Sequence, residues 1–294
     1  MNLFYANMAR SYVPFGNFGD DLNPWVWQRL IPDILSDERS SDTTFVGFGT
    51  LLNEKLPFFK RTVIFGTGCG YGELPKVEDS WRIYGVRGPL SANALELDPG
   101  LGIADSSILV NRLYPFREAK KIHKVSLIPF VWEMQQTPEL FQSVCEQLGF
   151  FCIDPRWEVE KTLEAISSSE LVVTAAMHGA IISDALRVPW IPFKSNAGIP
   201  DFKWTDFCQS MELEYETKRL YRFSRIGKTF PAYRKLERSL VANFIKRRAK
   251  SKPFLSSSSV LEARLEKLEE KLEQFKRDHA DGQFNNKAVQ SVVH

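Results

Sequence analysis

Short apolar runs alternate with helix-length stretches over the first two hundred residues. TTFVGFGTLL (43–52), RTVIFGTG (61–68) and WRIYGVRG (81–88) are short, apolar and β-branched, as buried strands are. The third runs into PLSANALEL, a helix that opens on Pro89, where proline's missing N–H had no helical partner to lose. The pattern then restarts. A strand at 123–130 leads to a helix at 137–149, closed by Gly149, a residue suited to a left-handed cap. Strand 150–154, helix 157–169, buried strand 170–179, helix 180–188 and strand 190–193 follow. Strands feeding helices in this order predict an α/β fold with parallel sheets and helices packed outside them.

The polar, proline-interrupted segment from Arg112 to Lys121 predicts a boundary between two such units, the first over 1–115 and the second over 120–200. Residues 201–250 then hold a helix at 201–212 that returns to the first unit and a basic helix at 232–250. Ser256 to Ser259 predict a flexible hinge. Beyond it, Leu261, Leu265, Leu268, Leu272 and Phe275 are spaced as an a/d seam. A short coiled coil over 257–278, joining copies of the chain into a homo-oligomer, is the expectation. Residues 279–294 are polar and expected to be a disordered tail.

Composition narrows the class. A chain of 294 residues has room for two domains, and 44% hydrophobic with 25% charged residues excludes a disordered protein. A net charge of +2 gives no reason to expect a nucleic-acid partner. Cys69, Cys145, Cys152 and Cys208 form no C-x-x-C pair and read as small buried residues in a reducing compartment. With no apolar leader and no membrane-length apolar run, the expected location is cytoplasmic.

Four segments carry candidate chemistry. In LVVTAAMHGAIISDALRVPWIPF (171–193) a buried strand delivers His178 to its C-terminal end, and Gly179 permits a tight turn. Ligands of open α/β sheets bind beyond such ends, where a histidine serves proton transfer near neutral pH. The alternative is a histidine that caps a helix. In GVRGPLSANAL (85–95), Arg87 stands between glycines where a strand meets a helix, so guanidinium and helix N-terminus together form an anion site. The alternative is an exposed loop arginine. In FGNFGDDLNPWVW (15–27), Asp20 or Asp21 either caps an aromatic-rich helix or contacts a sugar hydroxyl, and Trp25 and Trp27 are core or stacking residues. FGTGCGYG (65–72) reads as a cleft-lining loop. It lacks the G-x-G-x-x-G spacing, and Pro75 breaks the helix a phosphate turn needs. No cluster has metal-ligand spacing, so no metal is expected.

Taken in order, N-x-G-D at Asn17 to Asp20, the glycines at 66–72, R-G-P-x-S at Arg87 to Ser91, Asp105, and M-H-G at Met177 to Gly179 resemble the polysaccharide pyruvyl transferase family. The likeness is nearest to the branch that adds pyruvate ketals to exopolysaccharides such as succinoglycan. The resemblance implies two facing Rossmann-like domains in a GT-B-like arrangement. It also implies phosphoenolpyruvate as donor substrate, no other cofactor, and a saccharide or lipid-linked oligosaccharide as acceptor. Arg87 would hold the donor, with Ser91 and Gly179 beside it, and His178 would be the acid/base. Asp20 or Asp21 would meet the acceptor in a cleft lined by Asn17, Gly19, Gly68 and Gly70. Many members carry arginine two residues before the histidine; Ala176 stands there in this chain. Lys194, Arg112 and Arg187, in that order, are the cations expected to replace it. Two other classes share the architecture. One is a glycosyltransferase using a nucleotide sugar, separable by which donor binds. The other is a non-catalytic saccharide-binding or scaffold protein, which would release no phosphate. The basic helix either lies on an anionic membrane surface or presents a solvated face.

Overall fold

The structure, a computed structural model, describes residues 1–6, 16–195, 198–221 and 231–286. Two parallel sheets organise it. In the first, β1 (Asn2–Phe4), β2 (Thr43–Val46), β3 (Arg61–Phe65) and β4 (Trp81–Gly85) lie side by side in chain order. Helices α1 (Phe18–Leu30) and α2 (Pro32–Ser36) connect β1 to β2. The next two crossovers are loops, so strict strand–helix alternation does not hold in this unit. After β4 come α3 (Pro89–Ala94) and α4 (Val110–Leu113).

The second sheet contains β5 (Ser126–Ile128), β6 (Phe151–Cys152), β7 (Val172–Thr174), β8 (Trp190–Lys194) and β9 (Lys218–Arg219), in the spatial order β6-β5-β7-β8-β9. Its crossovers are α5 (Val131–Gln136) with α6 (Pro138–Leu148), α7 (Val159–Ser167), α8 (Met177–Ala185) and α9 (Asp201–Ser210). Gly149 ends α6 at φ 66°, the left-handed cap expected there. The chain's direction across the sheet reverses between β5 and β7. Doubly wound sheets bind ligands at such a reversal, past the C-terminal strand ends. Two further helices are α10 (Pro231–Arg248) and α11 (Ser258–Ala280).

Trp27 of α1 anchors the core, with its ring 4.7 Å from Phe45 and 5.3 Å from Phe65. Trp25 is half-buried and donates to Glu160 at the surface. One buried cluster runs from these rings through α8 to α11, so both sheets share a core.

The C-terminal part corrects three expectations. Leu261, Leu265, Leu268, Leu272 and Phe275 are buried within this chain, and Phe275 packs on Phe45 and Tyr84 at 5.4 and 5.3 Å. The seam covers the first sheet and is not left open for a second copy. Ser256 is pinned where a hinge was expected: its N–H donates to Asp184 at 2.9 Å, and its carbonyl accepts from Arg187 at 2.6 Å. Ser257 caps α11 by accepting from the Val260 N–H. The ordered chain also passes the expected start of the tail, because Phe284 is buried against Phe275. Residues 287–294 lie outside the described residues.

Candidate functional site

A cavity of about 360 Å³ lies where the C-terminal ends of both sheets meet. From the first sheet it takes Asn17 to Asp20 after β1, Gly49 to Leu51 after β2, and Tyr71 after β3. From the second it takes Phe130 to Trp132 after β5, Pro155 after β6, and Ala176 to His178 after β7. This is the β5/β7 reversal. Lys203 of α9 also lines it.

His178 is placed by a short turn. The strand stops at Thr174, whose hydroxyl accepts the Ala176 N–H at 3.0 Å, and α8 begins at Met177. The histidine therefore sits in the first turn of a helix, three residues earlier than the sequence boundary implied. Its ring meets Phe48 edge-on at 5.9 Å and lies against Gly19, where any Cβ would overlap it. The glycine of N-x-G-D is thus required by the histidine. Nε2 is buried with no hydrogen-bond partner, which points to a ligand, since buried polar atoms are otherwise paired. Burial, then the charges of Lys203 and Arg87, hold its pKa down at about 3. The positive end of α8 acts the same way. The ring is a neutral base at neutral pH.

Asp20 and Asp21 occupy the first turn of α1, and Asn17 is its N-cap. Asn17 donates its side-chain amide to Asp20 at 2.6 Å and its backbone N–H to Asp21 at 3.1 Å. Burial pushes Asp20 up to about 7; the Asn17 bond and Lys203 oppose the shift, and Asp21 adds to it. Asp21 does not line the cavity. Lys203 donates to the Tyr71 hydroxyl at 2.6 Å, and burial followed by the Arg87 charge brings it down to about 7. Asp20, Lys203 and His178 thus form a cluster of strongly shifted groups around one cavity, as functional sites do.

The anion site expected at Arg87 is occupied by the chain itself. Asp206 of α9 accepts from Arg87 Nε at 3.0 Å, from the Leu90 and Ser91 N–H groups at 2.9 and 3.0 Å, and from the Ser91 hydroxyl at 2.6 Å. Arg87 also donates to Thr50 at 3.0 Å and to the Cys69 carbonyl, and both ion-pair partners are fully buried. Arg87 and Ser91 therefore hold the loop after β3 and the start of α3 in place, through bonds made within the chain. Gly68 packs on the Arg87 guanidinium, Gly70 on Lys203, and Gly179 on Thr174. Asp105 caps the turn at Ser106–Leu109 through Ser107, and burial raises it to about 6.

The three substitute cations are also placed elsewhere. Lys194 pairs with Asp201 at 2.8 Å, Arg112 binds Glu262 and Glu269 of α11, and Arg187 holds Ser256. Among the described residues, Lys203 is the cation at the cavity wall, on the helix expected to return to the first unit. Its signal was faint: Lys203 and Asp206 are one turn apart, so one face of α9 carries both charges inward. Tyr71 lies in the glycine-rich segment read as a cleft-lining loop, whereas Trp132 was unmarked by any motif. Among the described residues, no group of three or more His, Cys, Asp or Glu could hold a metal ion.

Residues 17–196 match the family described as polysaccharide pyruvyl transferase. Over 208 residues the chain is 41% identical to the succinoglycan biosynthesis protein ExoV of Rhizobium meliloti (strain 1021), a match covering 70% of this chain and 65% of that protein.

Proposed function

The chain belongs to the polysaccharide pyruvyl transferase family, and from that premise we propose that it transfers a pyruvyl group from phosphoenolpyruvate to a sugar diol of an exopolysaccharide precursor, forming a ketal and releasing phosphate. One observation carries the reading: a buried carboxyl raised to about 7, a lysine lowered to about 7 and an unpartnered imidazole share one cavity. The two parallel sheets flanking that cavity suit a GT-B-like arrangement. Its size falls near the lower end of ligand sites, about 300–1,000 Å³, which suits a three-carbon donor beside a sugar ring.

The chemistry divides between an acid and a base whose surroundings pull their pKa values apart. Asp20, holding its proton in the closed site, donates it to C3 of the donor, and positive character develops at C2. A sugar hydroxyl attacks C2 and passes its proton to His178 Nε2. Lys203 holds the donor's anionic groups, and the buried Arg87 adds favourable potential. In the second half, the imidazolium returns its proton to the departing phosphate. The second hydroxyl closes the ring and restores the proton on Asp20. Atoms and protons balance, and both groups end as they began. Trp132, 39% exposed at the cavity wall, offers a flat face to the acceptor sugar.

Titration calorimetry with phosphoenolpyruvate and with nucleotide sugars tests the donor. Heat with phosphoenolpyruvate, lost in Lys203→Met, is expected. Heat only with a nucleotide sugar overturns the proposal in favour of a glycosyltransferase.

A further inference from the structure

Helix α10 packs on the second sheet through Val241, Ala242 and Ile245, which join a buried cluster with Phe141, Val144 and Phe193. Its other face is built differently. Leu236 and Leu240 are 52% and 43% exposed, and Tyr233, one turn before Leu236, is 46% exposed. These positions, three and four residues apart, form one stripe along the helix. Arg247 is exposed in line with that stripe, and Lys235 and Lys246 are exposed on the flank of the same helix, as is Lys250 just past its end. The one acid of this helix, Glu237, is buried. Leu220, just past β9, belongs to the same buried cluster, and Tyr221 beyond it is 75% exposed, with the Arg219 guanidinium 5.2 Å over its ring.

A solvated helix face has no need of two leucines and two tyrosines in water, and a nucleic-acid-binding face would have no use for the leucine stripe. Apolar side chains rimmed by lysine and arginine, with aromatic rings at the edge, match the chemistry of an anionic bilayer surface: the leucines enter the acyl boundary while the cations meet headgroup phosphates. We propose that this face of α10, with Arg219 and Tyr221, docks the protein on an anionic lipid surface. No helix among the described residues is long and apolar enough to cross a membrane, so the contact is peripheral.

Vesicle co-sedimentation of the full chain tests this, using phosphatidylcholine vesicles with and without phosphatidylglycerol. The readout is binding, so its outcome is separate from that of the transferase reading. Binding to the anionic vesicles alone, weakened by added salt, is expected. Each surface cation contributes about 1 kcal/mol at such a membrane, so K235A/K246A/R247A should bind about a hundred-fold more weakly. L236S/L240S should also bind more weakly, with the salt dependence unchanged. Circular dichroism matching the parent chain shows that both variants are folded. Equal partitioning of the parent chain onto both vesicle types overturns the proposal. So do variants that bind as well as the parent, or binding through these residues to a duplex oligonucleotide but not to vesicles.

Discussion

Replacing Asp206 with alanine should cost the protein much of its stability. The carboxylate and the Arg87 guanidinium are both fully buried, 3.0 Å apart, and the carboxylate accepts three further bonds from Leu90 and Ser91. Removing one partner strands the other charge in a low-dielectric interior, which costs ~3–5 kcal/mol. Total stability is typically ~5–15 kcal/mol, so the loss is a large fraction. With an m-value of about 3 kcal/mol/M, the urea midpoint should fall by about 1–1.7 M. The double variant R87M/D206L removes both charges and keeps most of the packing. It should be far more stable than the single losses sum to, because a buried pair replaced by apolar groups is often near neutral. Equilibrium unfolding followed by tryptophan fluorescence and by circular dichroism measures both. An Asp206→Ala midpoint within about 0.2 M of the parent would refute the view that Arg87 is held by this carboxylate and is not free for a ligand.

Other expectations follow from the same geometry. Asp20 and Lys203 each hold a proton below about 7 and influence one another, while His178 stays neutral down to about 3. Both acids must be protonated, so kcat/KM for the donor should be level in mild acid and fall above about pH 7, approaching a two-proton slope; Lys203→Arg should reduce that to one, and a rise through neutral pH would contradict the assignment. Trp132→Ala should raise KM for the acceptor about two- to twelve-fold, in line with ~0.5–1.5 kcal/mol of lost stacking, and leave donor affinity unchanged by calorimetry. Removal of residues 257–294 takes away five buried apolar side chains of α11, each worth ~1.5–3 kcal/mol of burial, and bares the face they cover, so the truncated chain should fail to fold; a soluble, cooperatively unfolding product would contradict the intramolecular packing of the seam.

Much of the fold was legible because its strands are short apolar runs that end in glycine or feed helices. β1 was missed: three residues at the chain's start give no periodicity to read. The leucine seam was legible as an apolar stripe, yet periodicity does not say what a stripe faces, and here it faces the first sheet. At the site, His178, Asp20, Asn17 and Gly19 were legible because local motifs carry them, and the structure brings them together at one cavity. Lys203 was not, because its partners Tyr71 and Asp20 lie 132 and 183 residues away and only folding joins them. Arg87 was read as a ligand contact for a related reason. A guanidinium beside a helix N-terminus does attract an anion, and α9 supplies one from within the chain.

The pyruvyl-transfer claim is tested most directly by mass spectrometry of succinoglycan-type oligosaccharides incubated with the protein and phosphoenolpyruvate, with released phosphate measured in parallel. One pyruvate ketal per phosphate released is expected, with the rate falling about 10²–10⁴-fold in His178→Gln. An unchanged acceptor mass with the parent chain, or full turnover in His178→Gln, would contradict it.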